Sequence, residues 1–304
     1  MLRDFPLTSR IATHAAAFAA AYGTDTVTEP AAPRTAATVV LLRDAPGGPE
    51  VFVMRRTSSM AFAAQMHVFP GGGVDPRDLE ASVAGGGAGG RIPWRGPSPE
   101  QLAQRTGVGP AETTGLVCAA VRELFEECGV LLAAAPGEDV VADLSDPSWE
   151  RDRLALLDRS LALSQLLEQR GLELRADLLA PWAHWCTPVF EPRRYDTWFF
   201  VAQLPAGQRA REVGGEADHA TWLPAVDAAA GGNDGTLAMM PPTVVTVEEV
   251  ASAPDVATLM ARPRRLRLLM PWLVRSPSGL AIRLDLDGSG GGEPGPPGGI
   301  GETA

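Results

Sequence analysis

Apolar and acidic residues between 113 and 130 alternate with a helical period. Val117, Val121, Leu124, Phe125 and Cys128 fall on one side, while Glu123, Glu126 and Glu127 share an arc of about 100° on the other. The pattern predicts a helix with a packed apolar stripe and outward carboxylates, started by the polar stretch 110–114. Residues 36–43 and 50–56 read as strands joined by a turn at 45–49, and 67–78 as a short strand ending in the glycine turn Gly71-Gly72-Gly73. Asp146-Pro147 opens a helix running to about residue 170, with Leu154, Leu157, Leu161 and Leu166 as a core stripe or, alternatively, a partner surface. Residues 198–204 and 220–223 read as strands, and 248–251 and 254–260 as late helices. Residues 79–115, with a glycine run at 85–90 and several prolines, read as a loop excursion. An Ala-rich lead-in covers 1–33, with helical character over 8–22 and a linker over 24–33; the Gly/Pro-rich end, 287–304, is expected to be disordered.

Carboxylates at i, i+3 and i+4 repel one another, so a sequence that groups them usually supplies a cation. Hard oxygen ligands of this kind suit Mg²⁺ or Mn²⁺; a solvated acidic face is the alternative. The whole chain has 304 residues and a net charge of −11, which argues against nucleic acid as a partner because counterion displacement needs a basic stripe. It contains no lysine, which removes P-loop, kinase-type and Schiff-base chemistry and leaves arginine as the cationic group. Cys118, Cys128 and Cys186 form no C-x-x-C pair and are expected to be reduced and buried, in a cytoplasmic setting. No apolar run reaches the roughly 18 residues of a bilayer span, and the start does not read as a signal peptide, so no membrane partner is expected. The sequence leaves oligomeric state open.

Gly72, then Arg122-Glu123-Leu124-Phe125-Glu126-Glu127-Cys128-Gly129-Val130, resembles the signature of the Nudix hydrolases. Two departures stand out: Asp78 occupies the place of a family glutamate, and 43 residues separate it from Arg122 where the pattern has seven, an insertion of 36. Loop-closure entropy grows only logarithmically, by roughly 0.6 kcal/mol per doubling, so the interrupted motif can still close. The interruption, with Arg55-Arg56-Thr57-Ser58-Ser59-Met60, His67-Val68-Phe69-Pro70-Gly71-Gly72, Trp185-Cys186-Thr187-Pro188, 192–200 and Met240-Pro241-Pro242-Thr243, resembles the coenzyme A diphosphatase branch over about residues 34–269. The resemblance implies a Nudix-type α/β/α sandwich with a mixed β-sheet and additional helices, its domain over 34–286 and residues 79–115 inserted in the motif. It also implies a metal-dependent hydrolase that splits coenzyme A or acyl-coenzyme A into adenosine 3',5'-bisphosphate and (acyl-)phosphopantetheine. Glu126, Glu127 and the Gly72 carbonyl would be metal ligands and Glu123 a ligand or the water-activating base. Arg122 would orient a glutamate, and Asp78 would meet either Arg122 or the metal shell. Arg55, Arg56, Arg193 and Arg194 are candidate phosphate contacts, with surface or strand-edge arginines as the alternative. Glu216 is a candidate loop acid and His67 a candidate substrate contact; Trp185, Trp198 and Phe199 could stack adenine or pack in the core. ADP-ribose, a dinucleotide or a nucleotide sugar could replace coenzyme A, and a nucleotide-sensing module without turnover is a separate class.

Overall fold

The structure is a computed structural model that describes residues 1–7, 9–22, 30–58, 63–80, 92–213, 215, 217–277 and 279–287. Along the chain, β1 (Leu2–Pro6) and α1 (Ser9–Tyr22) come first. The hairpin β2 (Arg34–Ala45) and β3 (Gly48–Arg56) leads to β4 (His67–Val68), β5 (Gly71–Gly73) and α2 (Pro76–Glu80). Next come β6 (Trp94–Arg95), α3 (Pro99–Thr106), α4 (Pro110–Cys128) and β7 (Ala133–Ala134). These are followed by α5 (Pro147–Leu157), α6 (Leu163–Arg170), β8 (Glu173–Arg175), β9 (Leu179–Cys186) and β10 (Tyr195–Gln203). The last described elements are β11 (Ala217–Pro224), α7 (Ala225–Asp234), α8 (Pro241–Ala251), α9 (Val256–Met260), β12 (Leu268–Leu269), β13 (Trp272–Ser276) and β14 (Gly279–Asp285).

The described residues group into two compact units, one of Met1–Thr35, Ala183–Thr197 and the chain from Arg267, the other of Ala36–Trp182 and Trp198–Leu266. In the first unit, β1 pairs with β14 and β14 with β13, all antiparallel. A strand therefore precedes the one expected to be first, held because Phe5 is buried with Leu273, Val274, Ile282 and Leu284. Arg194 is also buried in this unit, its Nε and Nη1 donating to the carbonyls of Thr187 (3.0 Å) and Ala31 (2.9 Å).

In the second unit the strand order is β11-β3-β2-β10-β9, with β4 paired to β3 and β5 to β2. Both faces of this sheet are buried. Ala37, Val39 and Leu41 of β2, with Phe52 and Met54 of β3, enter one core with α4. Their alternating neighbours Val40, Leu42, Val51 and Val53 are buried on the opposite face, and α7 and α8 pack on β3. That is the layering of an α/β/α sandwich. A small second sheet, β6-β8-β7, joins the insertion to the rest of the unit, with Trp94 opposite Leu174 and Ala133 opposite Leu174 on the other side.

Two sequence expectations need correction. The stretch 79–115 is not one loop: beyond residues 81–91, which contain the glycine run and lie outside the described residues, it carries β6 and α3. Ser98 and Gln101 close a capping box at the start of α3, and Gly107 ends it in the left-handed region at φ 81°. The helix over 146–170 is two helices, α5 and α6. The Ser160 amide donates to Asp158 Oδ1 (2.8 Å), a local turn that competes with helix propagation, and Arg159 sits at φ 66°. The register changes there, so Leu156, Leu163, Leu166 and Leu167 are buried while Leu154 and Leu157 are exposed. The linker over 24–33 lies largely, and the tail 288–304 wholly, outside the described residues. Among the described residues no helix is long and apolar enough to cross a membrane.

Candidate active site

Three glycines let the pieces of the interrupted motif meet. β5 pairs with Ala36–Thr38 of β2, and a Cβ on Gly71 would lie 2.5 Å from the Ala37 carbonyl oxygen. A Cβ on Gly72 would lie 2.5 Å from Glu123 Oε1, so only a bare backbone lets this strand lie against the α4 carboxylates. In α4, Gly115 makes room for Leu79, since a Cβ there would lie 2.5 Å from Leu79 Cδ2. That contact packs α2 on α4 and brings Asp78 to Arg122. Asp75-Pro76 starts α2: the Arg77 amide donates to Asp75 Oδ1 (2.9 Å) and the Asp75 amide to Asp78 Oδ2 (2.9 Å), a reciprocal cap.

The centre of the cluster is the Arg122 guanidinium. Its Nη2 donates to Asp78 Oδ2 (2.9 Å) and the Gly73 carbonyl (2.9 Å), its Nη1 to Glu123 Oε1 (2.8 Å) and Glu126 Oε2 (3.1 Å). Glu127 turns to the strand, its Oε2 accepting from the Gly71 amide (2.9 Å). Outward carboxylates were expected, yet Glu123, Glu126 and Glu127 are all buried, with 9%, 6% and 8% of their surface exposed. The reason is that α4 is covered on all sides, by the sheet, α2, α3 and α5. Burial pushes the Glu123 carboxyl up to about 7 against the opposing pull of Arg122, and raises Glu126 for the same reason. Burial works against the Arg122 charge too, but its bonds to Asp78 and the charges of Glu123 and Glu126 outweigh this and hold it protonated. Asp75, bonded first of all to the Arg77 side chain, is held down at about 2.

The C-terminal end of α4 is tied down by groups the sequence did not flag. Arg153 of α5, 3% exposed, donates from Nη1 to the Glu126 carbonyl (2.7 Å) and is itself held by Glu150 (2.6 and 3.0 Å). The Val213 amide donates to the Glu127 carbonyl (3.2 Å) and the Arg211 amide to that of Cys128 (3.1 Å). Arg77 reaches the α5–α6 break, donating to the carbonyls of Arg159 (2.7 Å) and Leu161 (3.2 Å). For Asp75 the D-P-x-D capping pattern was an available signal; for Arg153 there was none, because its partner is a backbone carbonyl.

The other candidates lie outside the glutamate cluster. Arg55 forms an exposed bidentate pair with Asp218 (2.7 and 3.0 Å), and Arg56 follows it, half-buried. His67 is half-buried on β4, its amide donating to the Ala238 carbonyl (2.8 Å). Arg193 is exposed, whereas Arg194 is buried and donates to two carbonyls and to the sulfurs of Cys186 and Met270. Trp198 is core, donating to the Thr106 carbonyl (3.1 Å); Phe199 packs edge-on against Phe69; Trp185 is buried. Glu216 lies outside the described residues. The three cysteines are buried free thiols.

The donor set suits a hard divalent cation, since buried carboxylates adjoin a glycine backbone and Glu126 Oε1 is buried with no partner among the described residues. No three acidic, histidine or cysteine side chains among the described residues converge on one cation-sized point, because Arg122 draws Glu123 and Glu126 to itself while Glu127 is bonded to Gly71. Binding such an ion would therefore require those two carboxylates to turn from the guanidinium.

No protein-family profile matches the chain. The acyl-coenzyme A diphosphatase of Gallus gallus is 31% identical over 209 residues, 56% of this chain and 55% of that protein. That of Homo sapiens is 30% identical over 187 residues, 52% of this chain and 48% of that protein. The chain thus spans about half the length of the curated relatives it matches. A solved NUDIX hydrolase from Alicyclobacillus acidocaldarius superposes with a TM-score of 0.62 at 29% identity, covering 77% of this chain and 98% of the other.

Proposed function

We propose that this chain, which resembles the Nudix hydrolases and among them the coenzyme A diphosphatase branch, hydrolyses the pyrophosphate bond of coenzyme A or acyl-coenzyme A. The products are adenosine 3',5'-bisphosphate and the (acyl-)phosphopantetheine. The observation that carries this reading is the meeting of β5 with the α4 carboxylates despite the insertion: Gly72 abuts Glu123, and the Gly71 amide holds Glu127. Glu126, Glu127 and the Gly72 carbonyl would hold Mg²⁺ or Mn²⁺, and Glu123 would either complete that set or take a proton from the attacking water. When bound, a divalent ion supplies positive charge for the leaving phosphate and acidifies water. Glu123, raised to about 7 by burial, is matched to accept a proton near neutral pH. Arg122, anchored by Asp78 and the Gly73 carbonyl, keeps the acids oriented and offsets their mutual repulsion.

The test is incubation with Mg²⁺ or Mn²⁺ and, separately, coenzyme A, an acyl derivative, ADP-ribose, NADH and a nucleotide sugar, with separation of products. Release of adenosine 3',5'-bisphosphate is expected, and cleavage of only another compound would overturn the substrate assignment. A second reading, a nucleotide sensor, draws support from the grip of Arg122 on Glu123 and Glu126. Tight binding of one compound without cleavage of any would favour it.

A further inference from the structure

Outside the glutamate cluster, one row of side chains carries positive or protonatable groups across three strands. His67 of β4 stands opposite Arg55 of β3, and Arg55 opposite His219 of β11. Directly opposed residues project from the same face of a sheet, so the three side chains form one row. The chain has only four histidines, and two are here. The register shifts between Ala217 and His219, an irregularity of the kind that re-aims side chains. Asp218, the acid of this bulge, is bonded to Arg55, and both are exposed. An exposed pair of this kind is weak and readily exchanged for a stronger anion. His67 Nδ1 is buried and has no hydrogen-bond partner among the described residues. Burial, with Arg55 and His219 adding to it, holds His67 below the ordinary imidazole range.

The row is joined to the glutamate cluster by chain. Three residues separate His67 from Gly71, whose amide holds Glu127, a span of at most about 14 Å. By strand alternation the row lies on the face opposite Met54, which packs with α4, so a ligand touching both must cross the strand end rather than lie along α4. Coenzyme A, with a phosphate monoester on the ribose away from its pyrophosphate, has that extended form.

We propose that Arg55, His67 and His219 form a subsite for a phosphate monoester, and that this row selects substrates bearing a 3'-phosphate on the adenosine. The proposal rests on the pyrophosphatase reading and narrows it. A guanidinium between two imidazoles offers several N–H donors to a dianion, and charge-assisted bonds of this kind are the strong ones. Asp218 excludes a neutral or unphosphorylated ribose from Arg55 by keeping the fork occupied.

The test compares kcat/KM for coenzyme A and 3'-dephospho-coenzyme A in the wild-type protein and in the surface variants Arg55→Gln and His219→Gln, with circular dichroism as the fold control. Wild type should prefer coenzyme A by about tenfold or more, through KM, and in each variant the ratio should fall toward one. Equal efficiency on both compounds in the wild type, or a ratio that survives both substitutions, would overturn the subsite and leave the pyrophosphatase reading intact. If wild type cleaves neither compound, that reading fails instead. Calorimetry with adenosine 3',5'-bisphosphate and AMP then decides the subsite: tighter binding of the bisphosphate, lost in Arg55→Gln, supports it, and equal binding refutes it.

Discussion

Two buried arginines show what distinguishes a guanidinium that gathers acids from one that fastens backbone. Arg122 and Arg194 are 7% and 9% exposed, so burial alone does not separate them. Arg122 spends its donors on three carboxylates and one carbonyl, all from the glycine strand, α2 and α4. Arg194 spends its own on two carbonyls and two sulfurs, none of them charged. One balances buried negative charge that would otherwise repel; the other fastens chain segments together. An arginine in a Pro-Arg-Arg string was a fair candidate for holding phosphate, and in the fold the donors of Arg194 go to carbonyls and sulfurs.

The sharpest way to break this contrast is to replace each arginine by methionine. Arg122→Met leaves Asp78, Glu123 and Glu126 buried without their cation; it should lower stability by about 3–5 kcal/mol and turnover by orders of magnitude. Arg194→Met should cost about 1–3 kcal/mol for its unpaired carbonyls and leave kcat nearly as it was. Chemical denaturation and initial rates on coenzyme A measure both, and equal losses of turnover would erase the distinction. Next in size is Gly72→Ala. The added Cβ must displace the Glu123 carboxylate or the strand, so turnover should fall at least about tenfold while the melting temperature drops by only a few degrees.

The acids beside Arg122 also give a pH signature that Arg194 cannot. Glu123 holds its proton to about 7 in the folded chain, against an ordinary carboxyl value of 4.5, and Glu126 is raised as well. The native state thus binds more protons than the unfolded state through this window, so the stability of the metal-free protein should fall as pH rises from about 4.5 to 7. Saturating Mg²⁺, which favours the ionised acids, should flatten the slope; melting curves at a series of pH values decide, and a stability that climbs across the window would contradict the assignment. A smaller effect on turnover than that of Arg122→Met is expected of Arg153→Met, which removes a bond to the Glu126 carbonyl rather than to its side chain. Stability should fall by about 1–3 kcal/mol and the Mg²⁺ requirement should rise, with kcat at saturating metal reduced less than in Arg122→Met.

How much of this was legible depended on whether a residue acts through a local pattern or through a distant partner. The α4 helix and the β2–β3 hairpin were readable because period, breakers and caps are local properties of the chain, whereas the glycines read as a turn form the strand β5, since their pairing partner β2 lies elsewhere in the sequence. The meeting of Asp78 with Arg122 was half readable, from the motif and not from spacing. The burial of Glu123, Glu126 and Glu127 was not, since an amphipathic pattern shows one covered face while the covers on the others, α2, α3 and α5, come from elsewhere in the chain. Leu154 and Leu157 were misread for a local reason: the Asp158–Ser160 turn interrupts the helix on which their spacing was counted. Arg153 left no trace in the sequence because a backbone carbonyl has no identity there.

The central claim is that the carboxylates gathered around Arg122 become a divalent-cation site. Titration with Mn²⁺, followed by electron paramagnetic resonance on the wild type and on Glu126→Gln, tests it directly. The account predicts bound Mn²⁺ in the wild type and an affinity about tenfold or more weaker in the variant. Indistinguishable binding by the two proteins, or none by either, would contradict it.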